Sequence, residues 1–220
     1  MTILEAMEAR HSVRAYLDRP IEAGVREKLD SFAEACSRDG GLRVFIRYDD
    51  PEGFDSGLAH YGNFRNVRNY IVLAGKRNAD FDLRCGYYGE KLVLCAQQLG
   101  LNTCWAALTF NRKKVRQLLA EEESLCMVIA LGYGENAGAP HRGKSFSAVS
   151  SIADAPDWYT AGVRAALLAP TAVNQQKFFF TYSGGRAELR VKGIGLCTQT
   201  DLGIVKYHFE AASGHEAHLA

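Results

Sequence analysis

Two uninterrupted apolar runs, YIVLA (70–74) and LCMVIAL (125–131), constrain the fold of this chain most. A strand with one wet face alternates apolar and polar residues; neither run does, so each predicts a central strand covered on both faces. Between them Leu92, Cys95, Ala96 and Leu99 mark one face of a helix, Val93 and Leu94 make it apolar nearly all round, and Gly100 can end it. Such a helix must be buried. With 220 residues and 47% hydrophobic content, the chain can fill a core of that kind.

Weaker signals complete the outline. Thr2 and Glu5 form a capping-box pattern opening a helix that runs to about Ala9. Val25, Leu29, Phe32 and Cys36 recur at helical spacing and predict a second helix, ending near Asp39-Gly40-Gly41. Leu42, Val44, Ile46 and Tyr48 alternate as in a half-buried strand. In the second half a helix from about Asp157 to Leu168 leads into "APTAVNQQKFFFTY", a loop and strand, then a Gly184-Gly185 turn and a strand from Ala187 to Lys192. Setting Tyr182 over Tyr48 aligns helix, loop and strand in the same order, and "YYGEKLVLCA" has a counterpart in "TDLGIVKYHFEAA". Internal duplication and chance similarity of two helix-loop-strand units are both open on this pattern.

Charge and cysteine usage narrow the partners. A formal charge of +1 argues against nucleic-acid and membrane surfaces and leaves a small molecule as the expected partner. Cys36, Cys85, Cys95, Cys104, Cys126 and Cys197 have no zinc-type spacing and read as reduced thiols. Glu5 and Glu8, with no apolar run of signal-peptide length and no stretch of membrane-spanning length, predict a cytoplasmic protein. Gly132-Tyr133-Gly134 follows a buried strand, but the third glycine falls at Gly138 and Pro140 breaks any following helix, which excludes a dinucleotide-binding turn. His215 and His218 read as part of a mobile tail.

Three segments carry candidate chemistry. "ARHSVRAY" gathers Arg10, His11, Ser12 and Arg14, the donors a bound phosphate wants; the same cations would also suit a helix C-terminus. His141, Arg142 and Lys144 form a second basic group, in a loop, which taken alone reads as a solvated turn. In "APTAVNQQ", Pro170 and Asn174 fix a loop while Thr171, Asn174 and Gln176 offer hydrogen bonds suited to a flat heteroaromatic edge; a plain helix-to-strand connection fits as well.

Together these segments resemble the FMN-dependent nitroreductase family. "ARHSVRAY" is similar to its R-x-S-x-R/K signature, "APTAVNQQKF" to its A-P-S-x-x-N-x-Q segment, "GYYGEKLVLCAQQLGLNTCW" to its buried helix and G-L-x-T-x-W turn, and "ALGYG" with the basic loop to its late strand and phosphate-contacting tail. In most of the family the P-S-x-x-N segment follows soon after the first basic motif. Here that slot reads Cys36-Ser37-Arg38-Asp39-Gly40 and the motif stands in the second half. The chain therefore resembles the fused variant whose two halves mimic the family's homodimer.

The resemblance implies an α+β, nitroreductase-like fold: one domain over 1–220, a central mixed sheet flanked by helices, and pseudo-repeated halves at about 1–135 and 136–220. It further implies one FMN between the halves in a monomeric pseudo-dimer, a homodimer being the alternative. Arg10, Ser12 and Arg14 would meet the phosphate, ribityl chain or N1/O2 edge, with His11 helping through backbone or imidazole. Asn174 and Gln176 would reach the pyrimidine edge, Pro170 and Thr171 shape that loop, Thr103, Cys104 and Trp105 lie along one side, and His141, Arg142 and Lys144 complete the phosphate pocket. The implied activity is ping-pong transfer of hydride from NAD(P)H through FMN to a nitroaromatic, quinone or similar acceptor. Tyr87, Tyr88, Phe110 and His60 are candidates for the acceptor site. A non-catalytic flavin- or nucleotide-binding protein is the rival reading, and reductive dehalogenation or flavin-ring cleavage a third.

Overall fold

The capping box forms as expected: Thr2 accepts from the Glu5 amide at 3.2 Å, Glu5 accepts from the Thr2 amide at 2.7 Å, and helix α1 runs Ile3–Ala9. A computed structural model of the chain describes residues 1–55, 57, 62–151 and 155–220. Helix α2 (Ala23–Gly40) closes on Gly41 in the left-handed region and turns directly into β1 (Arg43–Arg47). The two apolar runs become β2 (Asn69–Gly75) and β4 (Ser124–Gly132). They occupy the two inner positions of a four-stranded antiparallel sheet of order β1-β2-β4-β3, with β3 spanning Asn102–Ala106. All seven residues of β2 are buried, the consequence of cover on both faces.

The register sorts the side chains. Phe45, Val72, Val128 and Ala106 line up across the sheet and face an aromatic layer containing Phe54, Phe64, Tyr70 and Phe110. The next row, Ile46, Ile71, Ile129 and Trp105, faces α2 and the long helix α3 (Phe81–Gln98). After α4 (Arg112–Arg116) and β4, the chain crosses through a short α5 (Phe146–Val149) to α6 (Asp157–Ala166). A second sheet follows: β5 (Phe178–Ser183) pairs antiparallel with β6 (Arg186–Val191), which pairs parallel with β7 (Ala217–Leu219). Helix α7 (Thr198–Ser213) packs with α6 on this sheet through Phe180, Leu189, Val205 and Phe209.

The expected single mixed sheet is thus replaced by two, the larger wholly antiparallel, because α3 and α7 pack on each other between them. That contact is closer than side chains normally allow. A methyl on Gly86 would stand 2.0 Å from the Thr200 carbonyl oxygen, and one on Gly203 would stand 1.9 Å from the Leu83 carbonyl oxygen. Both glycines lie inside their helices.

Thr103, Cys104 and Trp105 form strand β3, and Gly100 in the left-handed region makes the turn before them. Two further expectations are corrected. Phe110 lies in the aromatic core rather than at a site. The C-terminal histidines do not form a loose tail: Ala217 is buried in β7 and His215 stacks on Trp158 with ring centroids 4.0 Å apart. No helix among the described residues is long and apolar enough to cross a membrane. His60 lies outside the described residues.

Candidate functional site

Past the end of α1 the basic segment adds itself to the first sheet. Ser12 bridges Thr103 in parallel, the Val13 amide donates to the Thr103 carbonyl at 3.0 Å, and Tyr16 bridges Gly134. The glycines of "GYGENAG" serve this docking: a methyl on Gly138 would stand 2.7 Å from His11 Cβ, and His11 Nδ1 meets the Ala137 carbonyl at 3.1 Å. Burial pushes the Cys104 thiol up, and the Arg14 charge, Ser12 and the Arg10 charge offset only part of that rise.

Arg10 is 4% exposed, and its Nε is buried with no hydrogen-bond partner. A charged donor left in that condition costs about 1–3 kcal/mol or more. The nearest carboxylate is Glu90 of α3, whose Oε1 is 4.0 Å from that Nε, beyond hydrogen-bond reach. His141 is within electrostatic reach of Arg10. Its Nε2 is also buried and unpartnered, and burial, then the Arg10 charge, then His11 and His208 push its pKa down. Among the described residues no carboxylate pairs with Arg14, Arg142 or Lys144.

The second basic group is knitted to the amide loop. The Arg142 carbonyl accepts from Asn174 Nδ2 at 2.8 Å and from Gln176 Nε2 at 2.9 Å, while Gln176 Oε1 accepts from the Lys144 amide at 2.8 Å. Lys144 Nζ reaches the Gln175 and Gln176 carbonyls. The loop itself is wound tightly. Thr171 Oγ1 accepts from the Gln176 amide, and Val173, Asn174 and Gln176 all adopt positive φ of 45–53°. For a β-branched residue such as Val173, 85% exposed, that conformation is a true outlier, and strain of this kind concentrates at working sites. Pro170 is half-buried at the loop's entry.

Sequence reasoning expected the Asn174 and Gln176 amides to meet a ligand edge; in the structure both donate to the Arg142 carbonyl, Asn174 remaining exposed and Gln176 buried. Trp105 likewise turns inward: its ring lies over Gly89 of α3, and its Nε1 donates to Glu90 Oε2 at 2.9 Å. Tyr87 and Tyr88 line a separate open groove of about 500 Å³ between α3 and α7.

Three contributors were missed. Glu90 and His208 are both 0% exposed and meet at 2.9 Å, His208 also contacting the Ala165 carbonyl at 3.0 Å. An ionisable residue on the apolar stripe of a helix was the available signal. Asp201 is the third: it accepts from the Ala172 amide at 2.9 Å and from Gln175 Nε2 at 2.7 Å, tethering the amide loop to α7. Burial pushes its carboxyl up to about 6 from 3.8, against both hydrogen bonds. A carboxyl raised on folding stabilises fully below its unfolded pKa, and that stability is lost as pH climbs through the folded value. Wild type should therefore lose roughly 2 kcal/mol relative to Asp201→Asn between pH 4 and pH 7. Paired urea melts across that range check this; a difference flat in pH contradicts it.

The model of the family described as "Putative TM nitroreductase" matches residues 2–213. The chain belongs to this family. A "putative nitroreductase" of Thermotoga maritima superposes with a TM-score of 0.69 at 22% identity, over 96% of this chain and 83% of that one. A "Putative NADH dehydrogenase/NAD(P)H nitroreductase" of Parabacteroides distasonis gives a TM-score of 0.54 at 26% identity, over 67% of this chain and 95% of its own. An "FMN-dependent Nitroreductase" of Clostridium difficile gives 0.52 at 17% identity, over 62% and 90%. A comparison with curated proteins finds no match. The nitroreductase fold of this family therefore covers nearly the whole chain, including both basic segments and the amide loop.

Proposed function

We propose that this nitroreductase-family protein is an FMN-dependent oxidoreductase that takes hydride from NAD(P)H and delivers it to an electron-poor acceptor such as a nitroaromatic or a quinone. The observation that carries the reading is a set of basic side chains without carboxylate partners among the described residues, with Arg10 and His141 each burying an unpartnered nitrogen. The Arg10 charge helps to push the His141 imidazole down, and His141 leads directly into the Arg142–Lys144 stretch held by the amide loop. Such a cluster wants an anion, and FMN brings a phosphate at one end and an electron-rich ring edge at the other.

The donor set fits that group. Arg10, Ser12 and Arg14 would hold negative charge beside β3, His11 would fix the segment through its bond to Ala137, and Lys144, Arg142 and His141 would close the phosphate end. Pro170, Thr171, Asn174 and Gln176 would act through the shape of their tightly wound loop, with the exposed Asn174 amide nearest a bound ring edge. Thr103 and Trp105 would flank one side of the group through strand β3, to which the basic segment is bridged, the Trp105 ring being turned to α3. Bound FMN supplies the redox chemistry, so the protein's own task is to bind, orient and stabilise charge.

The reciprocal contact of Gly86 with Thr200 and Gly203 with Leu83 supports a pseudo-dimer within one chain. In a two-fold interface residue i meets j while j's equivalent meets i's, and positions 83 and 86 relate to 200 and 203 in this manner. Purified protein should take up one FMN per chain, and NADH or NADPH should bleach it under anaerobic conditions, with colour returning on adding a quinone. Failure to take up FMN overturns the reading. FMN bound but inert to both nicotinamides leaves a flavin-binding protein without turnover.

A further inference from the structure

The unused charges nearest the proposed site are Glu90 and His208, both wholly buried at the crossing of α3 and α7. Hydrogen-bond accounting fixes their joint charge. His208 Nδ1 faces the Ala165 carbonyl at 3.0 Å; a carbonyl only accepts, so that nitrogen carries a hydrogen. His208 Nε2 lies 2.9 Å from Glu90 Oε1, and a contact between a carboxyl oxygen and a ring nitrogen at this distance needs one proton between them. The other oxygen, Oε2, is already accepting from Trp105 Nε1. Whether the bridging proton sits on oxygen or nitrogen, the pair sums to zero.

Arg10 has no other carboxylate in reach among the described residues, and its Nε stands 4.0 Å from Glu90 without a bond. The other titratable groups within reach of this point are His11 and His141, on the Arg10 side, Tyr207 from α7, and Cys104 of β3, whose thiol burial pushes up. None supplies negative charge. We propose that His208 is a positioning residue which, by sharing a proton with Glu90, prevents that carboxylate from becoming the counterion of Arg10 and so keeps Arg10 open to an anionic ligand. The inference rests on the flavin reading only for the identity of the anion.

The inference makes a prediction whose sign a packing role would not reproduce. Removing the imidazole while keeping the carboxylate should harm anion binding, and removing both should restore it. In the full-length protein, His208→Gln should weaken FMN by ~10–100-fold, because an ionised Glu90 would then compete for Arg10. Glu90→Gln should bind FMN at least as tightly as wild type, and the Glu90→Gln/His208→Gln double variant should recover most of the loss. His208→Asn, whose amide can still donate to the Ala165 carbonyl, makes the same test if His208→Gln is unstable.

Flavin fluorescence titrations give the affinities, and a second readout is the rise in melting temperature with inorganic phosphate against chloride at matched ionic strength. Wild-type affinity retained in the His208 variants overturns the inference, as does a double variant that stays as weak as His208→Gln. If no variant binds FMN yet phosphate stabilises wild type and the double but not His208→Gln, the inference stands and the flavin reading falls. If neither ligand acts on wild type, both fall.

Discussion

Gly203→Ala should destabilise the fold by on the order of 3 kcal/mol or more, a large share of the 5–15 kcal/mol that holds a typical domain. The added methyl would meet the Leu83 carbonyl oxygen at 1.9 Å and the Tyr87 amide nitrogen at 2.7 Å, both backbone atoms that no rotamer change can move. Only separation of α3 from α7 relieves the clash, and that separation would open the packing between the two sheets. Gly86→Ala should cost a similar amount through the Thr200 carbonyl. One outward shift accommodates both methyls, so the double variant should cost less than the sum of the singles. Urea titration of the three variants checks this; strict additivity would mean that the two contacts yield independently.

Arg14→Ala should weaken FMN binding by roughly 10- to 100-fold, the scale of losing one charge-assisted contact, while leaving the melting temperature of the apoprotein within a few degrees of wild type. Arg14 is exposed and makes no ion pair among the described residues, so its removal breaks no internal interaction. Its segment is held by backbone bonds to Thr103, Arg65 and Tyr133, which the substitution leaves alone. Arg10→Ala should also release flavin, but with a stability loss, because Arg10 is buried. Equilibrium titration with FMN measures both effects. Unchanged affinity in Arg14→Ala would remove that residue from the site.

Much of the fold was legible because its signals are local. The capping box at Thr2 and Glu5, the uninterrupted runs of β2 and β4 and the stop at Gly100 each record a requirement that a few neighbouring residues can state. The division into two sheets was not legible, since nothing near Gly86 or Gly203 announces that the two glycines face each other's helix. The site divides in the same way. Arg10, His11, Ser12 and Arg14 advertise themselves by charge density, whereas Glu90 and His208 acquire their meaning only from a contact spanning 118 positions. The amide loop was found for the right composition, yet its side chains turned out to hold the neighbouring loop, a role that depends on where Arg142 runs.

The most direct measurement is backbone hydrogen–deuterium exchange with and without saturating FMN. Protection should appear together in the segments around Arg10–Arg14, His141–Lys144 and Pro170–Gln176, and should be absent from the groove lined by Tyr87, Tyr88 and Glu210. Protection confined to that groove, or to one basic segment alone, would contradict a single anion-bearing cofactor held where the three segments meet.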